Sequence, residues 1–290
     1  MKKLKLFFPG VALLASVGLS TGTVQAAPIV EWGFNLTNHW DEASTTWSSV
    51  GVNPASPFGS GATLPDGNTP GDAGSYSYIQ WGSPTTPGGS RSFLGADGTI
   101  SRTGLYTNDP LGVSGSNYYH GNYLQFPPSN TREKVLTGTK LVAEIDIFSV
   151  VPGGETIHIN RTYTIKFTET FNEVPLEECP GYPWGGDGSG ITTCPDRLTI
   201  SIEDLKFSTG VIDGYIYDFV VSFDPTTFQN IAGITPNPDG TVSIWTNEQV
   251  LSVLGTRVTV TARVPEPAAL ALFGCGLIAG GLALRRRKAA

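Results

Sequence analysis

The side chains able to do chemistry are few and scattered. Three histidines are present, His39, His120 and His158. His120 lies in Tyr119-His120-Gly121-Asn122, where imidazole and amide flank a glycine. Such a pair can bind a ligand or an ion, but more commonly satisfies backbone groups in a turn. His39, in Thr37-Asn38-His39-Trp40, reads as a turn residue, and His158 as solvated on the outer face of a strand. Glu169, Glu173, Glu177 and Glu178 crowd a strand end. A glycosidase needs two carboxylates facing each other across a sugar; here a solvated acidic loop is the simpler expectation. Asp187 and Asp196 offer oxygens to calcium, with a spacing unlike an EF-hand. No Gly-x-Ser-x-Gly elbow, no His-Glu-x-x-His and no phosphate loop followed by lysine occurs. No catalytic residue and no metal ligand set is assigned, and the expectation is a protein without enzymatic activity or cofactor, with calcium as a minor alternative.

Cys179 and Cys194 flank a Gly/Pro-rich stretch that contains Trp184, and Cys275 lies in an apolar tail. In an oxidising compartment a Cys179–Cys194 disulfide is favoured. Two thiolates without a nearby histidine make a poor zinc set. Trp184 is the best candidate among the six tryptophans to face solvent and stack on a sugar, against the alternative of packing over its own loop.

The elements that must position these groups read mostly as strands. Of 290 residues, 57 are Gly or Pro and only 15% are charged, which argues against long helices or a coiled coil. Period-2 alternation marks Leu141 to Phe148, Ile157 to Asn160, Tyr163 to Thr168, Leu198 to Glu203, Tyr215 to Phe223 and Val258 to Ala262. Ile29 to Leu36 and Tyr76 to Trp81 add two more. Glu248 to Leu254 fits either a helical turn or a strand. Ser44 to Ser75, rich in small polar residues, reads as a long loop or mobile segment. The fold class expected is all-β: one antiparallel, jelly-roll-like β-sandwich over residues 28–263.

Both ends lie outside that sandwich. Lys2, Lys3 and Lys5, an apolar run to Leu19 and small residues at Val24-Gln25-Ala26 read as a signal peptide over 1–27, an uncleaved anchor being the alternative. Residues 264–290 open with Pro265-Glu266-Pro267, continue through the apolar stretch 268–284 and end in Arg285, Arg286, Arg287 and Lys288. Seventeen helical residues reach ~25 Å, just enough for a transmembrane helix. The basic cluster holds that end on the cytoplasmic side.

This three-part tail resembles the PEP-CTERM sorting signal of Gram-negative bacteria. The resemblance implies a transient inner-membrane anchor and recognition by an exosortase as partner. Cleavage near the motif would then pass the protein to the cell surface or extracellular matrix. Between the ends, 11 Lys and Arg face 24 Asp and Glu, a net charge of −13, which disfavours nucleic acid as a partner. Further residues resemble the THxN family of PEP-CTERM proteins: Gln80-Trp81-Gly82-Ser83-Pro84, His120-Gly121-Asn122 with tyrosine in place of threonine, Phe167-Thr168-Glu169-Thr170-Phe171-Asn172, and Cys179 with Cys194-Pro195-Asp196. That resemblance implies secretion and no reaction. The function expected is a structural or adhesive component of exopolysaccharide or biofilm, with a carbohydrate-binding module as the alternative and a secreted hydrolase behind it.

Overall fold

The structure is a computed structural model that describes residues 27–71, 73–123, 125–170, 194–201 and 205–265. In chain order the strands are β1 (Glu31–Trp40), β2 (Thr46–Trp47), β3 (Phe58–Gly61), β4 (Tyr76–Trp81), β5 (Ser83–Pro84), β6 (Ser92–Asp97), β7 (Thr99–Tyr106), β8 (Val113–Asn122), β9 (Gln125–Phe126), β10 (Leu136–Val151), β11 (Gly153–Thr168), β12 (Asp196–Ser201), β13 (Lys206–Ser208), β14 (Ile216–Phe223), β15 (Ile231–Pro236), β16 (Thr241–Thr246) and β17 (Val250–Arg263).

Two antiparallel sheets carry nearly all of them. One runs β15-β16-β12-β11-β10-β1-β7, with β2 added beside β10; the other runs β13-β14-β17-β8-β6-β4-β3. The expected all-β sandwich is what forms. Trp32, Phe34 and Leu36 of β1 and Leu141, Ala143, Ile145 and Ile147 of β10 share one buried cluster with Tyr217, Phe219, Leu254 and Val260 from the opposite sheet. Alternation puts every second side chain on the inner face, so each strand contributes one apolar row. Trp32 meets Tyr217 edge-on at 4.9 Å and Phe219 at 5.4 Å, which ties the two layers together across the core.

Several expectations change. Ile157 to Asn160 and Tyr163 to Thr168 form one 16-residue strand, β11, whose first half is largely exposed. Glu248 to Leu254 resolves as the entry into β17. His39 lies on β1, opposite Val142 of β10. The inward row of β1 continues through a buried asparagine: Asn38 donates through Nδ2 to the Asp97 carbonyl at 2.8 Å and to Ser116 Oγ at 3.0 Å. An interior polar residue broke the apolar alternation without breaking the strand. Ser44 to Ser75 is more ordered than its composition suggests. It supplies β2 and β3, and its Leu64 is 1% exposed in a second cluster with Tyr76, Phe93 and Tyr119. Gly95 makes room for this plug, since a Cβ there would stand 2.8 Å from Leu64 Cδ2. Both faces of β6 are thereby covered, and its six residues are all buried.

Residues 1–26 and the apolar tail 268–284 lie outside the described residues. Among the described residues no helix is long and apolar enough to cross a membrane.

Candidate functional site

The quoted motifs, far apart in sequence, converge on one place between the sheets. On β8, His120 and Asn122 are two residues apart and therefore share a face; both are fully buried. The intervening Gly121 is a strand residue opposite Phe93 of β6, not part of a turn. A Cβ at Gly121 would collide with the Phe93 ring. The glycine thus serves close strand packing, and the histidine and asparagine point away from it into the sandwich. This corrects the turn reading of the motif.

Trp81, at the end of β4, lies nearly parallel to the His120 ring at 6.1 Å, and Phe167 of β11 approaches His120 edge-on at 5.2 Å. Trp81 Nε1 donates to Glu169 Oε2 at 2.7 Å. Asn122 Nδ2 donates to Glu248 Oε1 at 2.8 Å. His120 Nδ1 is 2.7 Å from Thr246 Oγ1 of β16, and its Nε2 is 3.6 Å from Asp196 Oδ2 of β12. Asp196 Oδ1 accepts from the Thr170 backbone N–H at 2.7 Å and from Thr170 Oγ1 at 3.1 Å. The Thr170 hydroxyl also faces the Cys194 carbonyl at 2.6 Å. His120 belongs to one sheet while Thr246 and Asp196 belong to the other, so the imidazole bridges the layers.

The hydrogen bonds favour one set of proton positions. Thr246 Oγ1 donates to the Asp196 carbonyl at 3.4 Å. Its lone pair then accepts from His120, which makes Nδ1 the protonated nitrogen. Nε2 is left with a lone pair aimed toward Asp196 Oδ2, and among the described residues neither atom has another partner. A proton on Oδ2 satisfies both once the gap closes by about half an ångström. Burial acts in the same sense. It pushes His120 down to about 3. It raises the Asp196 carboxyl well above its ordinary range, with the negative charges of Glu169 and Glu248 adding to the effect. Glu169 is pushed up to about 8 by burial, partly opposed by the Trp81 hydrogen bond. No Lys or Arg of the described residues forms an ion pair with Glu169 or Asp196. Neutral protonated acids are the state that a desolvated, unpaired carboxylate adopts.

Glu169 is therefore no solvated loop residue. The acids gather around His120 and Asp196, which are 0% exposed, while Glu169 and Glu248 are half-buried, so the centre of the cluster can hold protons but presents no surface of its own. Among the described residues no group of three His, Cys, Asp or Glu is placed to hold a metal ion. Thr246 and Glu248 were missed by the sequence reading. Their only signal is that Ile244, Thr246 and Glu248 continue one row of a strand whose inner face turns polar at its end. His158 lies exposed on β11 with Nδ1 2.6 Å from Asp146 Oδ1. Cys194 is buried at the edge of the cluster. Cys179, Trp184, Asp187, Glu173, Glu177 and Glu178 lie outside the described residues.

At the other end of the chain, β17 finishes at Arg263, whose Nε donates to Asp218 Oδ2 of β14 at 2.7 Å. Val264 is then exposed, and Pro265 is the last described residue; Glu266, Pro267 and Arg285 to Lys288 fall beyond it. The sandwich thus ends where the tail begins. No curated protein matches the chain significantly. A family model does match: residues 263–288 carry the PEP-CTERM protein-sorting motif, the signal that exosortases recognise on exported proteins.

Proposed function

We propose that this is a non-catalytic structural or adhesive protein of the cell surface or exopolysaccharide matrix. On this reading the 268–284 segment holds the chain in the inner membrane until an exosortase cuts near Pro265-Glu266-Pro267. The observation that carries the reading is the placement of the sorting motif: it starts at residue 263, the last residue of the last strand. Cleavage there removes none of the described strands from either sheet. The burial of His120 and Asp196 supports a structural role for that pair, because side chains with no exposed surface cannot meet a polymeric substrate.

A Cys179–Cys194 bridge belongs to the same proposal. It is supported by export and by Cys194, which is fully buried. One experiment addresses both points: non-reducing peptide mass spectrometry of protein recovered from the surface of exosortase-competent cells. The expected result is a terminal peptide ending near Pro267 and a linked Cys179/Cys194 peptide pair. Recovery of Arg285 to Lys288 in that surface material refutes the sorting route, and alkylatable Cys179 and Cys194 refute the bridge.

A further inference from the structure

A surface hollow of about 280 Å³ opens where the end of β1 meets the edge strand β3 and its neighbour β4. Unlike the buried His120 cluster, it is bordered by exposed His39 and by Glu42 of the short 3-10 turn that follows β1. Its apolar lining is aromatic. Trp40, 7% exposed, and the partly buried Phe58 contribute rings. Tyr78 lies across the Gly59 backbone on the neighbouring strand, where a Cβ would stand 2.5 Å from the phenol Cζ. Glycine at 59 is therefore what lets the tyrosine ring lie along the sheet edge.

The polar lining is unspent. Among the described residues, the His39 imidazole, the Glu42 carboxylate and the Ser60, Ser77 and Tyr78 hydroxyls form no side-chain hydrogen bond or ion pair within the protein. Five groups converging on one aromatic-walled hollow, each with free donor or acceptor capacity, match a ligand that has an apolar face and many hydroxyls. The volume is near the lower end of the ~300–1,000 Å³ range of small-molecule clefts, which suits a sugar unit of a chain. Among the described residues no Lys or Arg lines the hollow, and Glu42 places a negative charge in it. The surrounding chain is acidic as well. Uronate-bearing or sulfated polymers are thus repelled.

We propose that this hollow is a binding site for an uncharged saccharide, with His39 and Glu42 holding hydroxyls and the Tyr78 ring lying against the sugar face. It rests on the matrix reading above only for where the ligand is met. The test is native affinity electrophoresis of the exported protein through gels carrying dextran, galactomannan or hydroxyethyl cellulose, with alginate as the acidic control. Retardation is expected in at least one neutral gel and not in alginate. His39→Ala and Glu42→Gln each remove an exposed group outside the core. Each is expected to weaken the interaction about threefold to tenfold, and the double variant to abolish the retardation. No retardation by any neutral polymer, retardation by alginate alone, or equal retardation of the native protein and the double variant overturns the proposal. Cell fractionation of the same strains separates the two readings. A double variant that reaches the surface but no longer binds leaves sorting intact. A native protein that binds but stays unsorted leaves the site intact and removes the matrix setting.

Discussion

Raising the pH should loosen this protein within a range where most proteins are comfortable, because the fully buried Asp196 and the half-buried Glu169 must give up protons that their surroundings hold. Glu169 moves from an ordinary 4.5 to about 8, and Asp196 moves upward too. A folded-state pKa above the unfolded value means that the native chain keeps a proton the unfolded chain has released. That contribution is complete below pH 4.5 and is lost as pH rises to about 8. Each proton tilts stability by ~1.4 kcal/mol per pH unit, so Glu169 alone has an upper limit on the order of 5 kcal/mol across its window. His120 works in the opposite sense. Lowered from 6.5 to about 3, it costs stability as pH falls through that interval. Asp224, held at about 2 by hydrogen bonds from Thr226 and Arg257, matters only below its ordinary 3.8. Above pH 6.5 the histidine contribution is flat and the buried acids dominate. Urea unfolding of the oxidised protein, followed by tryptophan fluorescence from pH 4 to 9, should give a stability maximum on the acid side and a decline from pH 6.5 to 8. Glu169→Gln keeps an acceptor for Trp81 and removes one titrating proton, so its slope should be shallower by up to ~1.4 kcal/mol per pH unit. A native profile that is flat or rising over that interval, or an identical slope in the variant, refutes the assignment of protonated buried acids.

Two substitutions probe the same region by packing. His120→Ala removes the bridge to Thr246 and the ring between Trp81 and Phe167, and should cost ~2–5 kcal/mol in urea unfolding. His158→Ala, at an exposed strand position, should stay within ~0.5 kcal/mol; similar losses in both would deny the inter-sheet role. Gly121→Ala drives a methyl into the Phe93 ring and should destabilise by ~1–3 kcal/mol. Phe93→Leu in the same chain should recover part of that loss, and strictly additive losses would show that the two residues do not compete for the space.

How far the sequence could be read depended on whether a residue's partner was near it in the chain. Tyr76–Trp81 was legible to the residue, and the β10 row from Leu141 to Ile147 was legible as alternation, because a half-buried strand writes its period directly into the sequence. β1 was cut short at Leu36, since an inward asparagine is indistinguishable from a turn residue until Asp97 and Ser116 are seen beside it. β6 and β8, rich in Gly, Ser and Tyr, carried no clean period because both faces of β6 are covered and β8 alternates imidazole and amide with aromatics. The site followed the same rule. Its residue types were visible at Trp81, His120, Asn122, Glu169, Thr170 and Asp196, yet nothing local separates a glutamate on a solvated loop from one enclosed beside a tryptophan. That difference is made by β4, β8, β11, β12 and β16 closing over one another, a property of register over more than a hundred intervening residues. When polar residues from distant strands share a parity with apolar rows, as His120 does with Tyr118 and Thr246 with Ile244, they belong to the interior. Their chemistry should then be reckoned in neutral, proton-sharing forms before any catalytic role is considered.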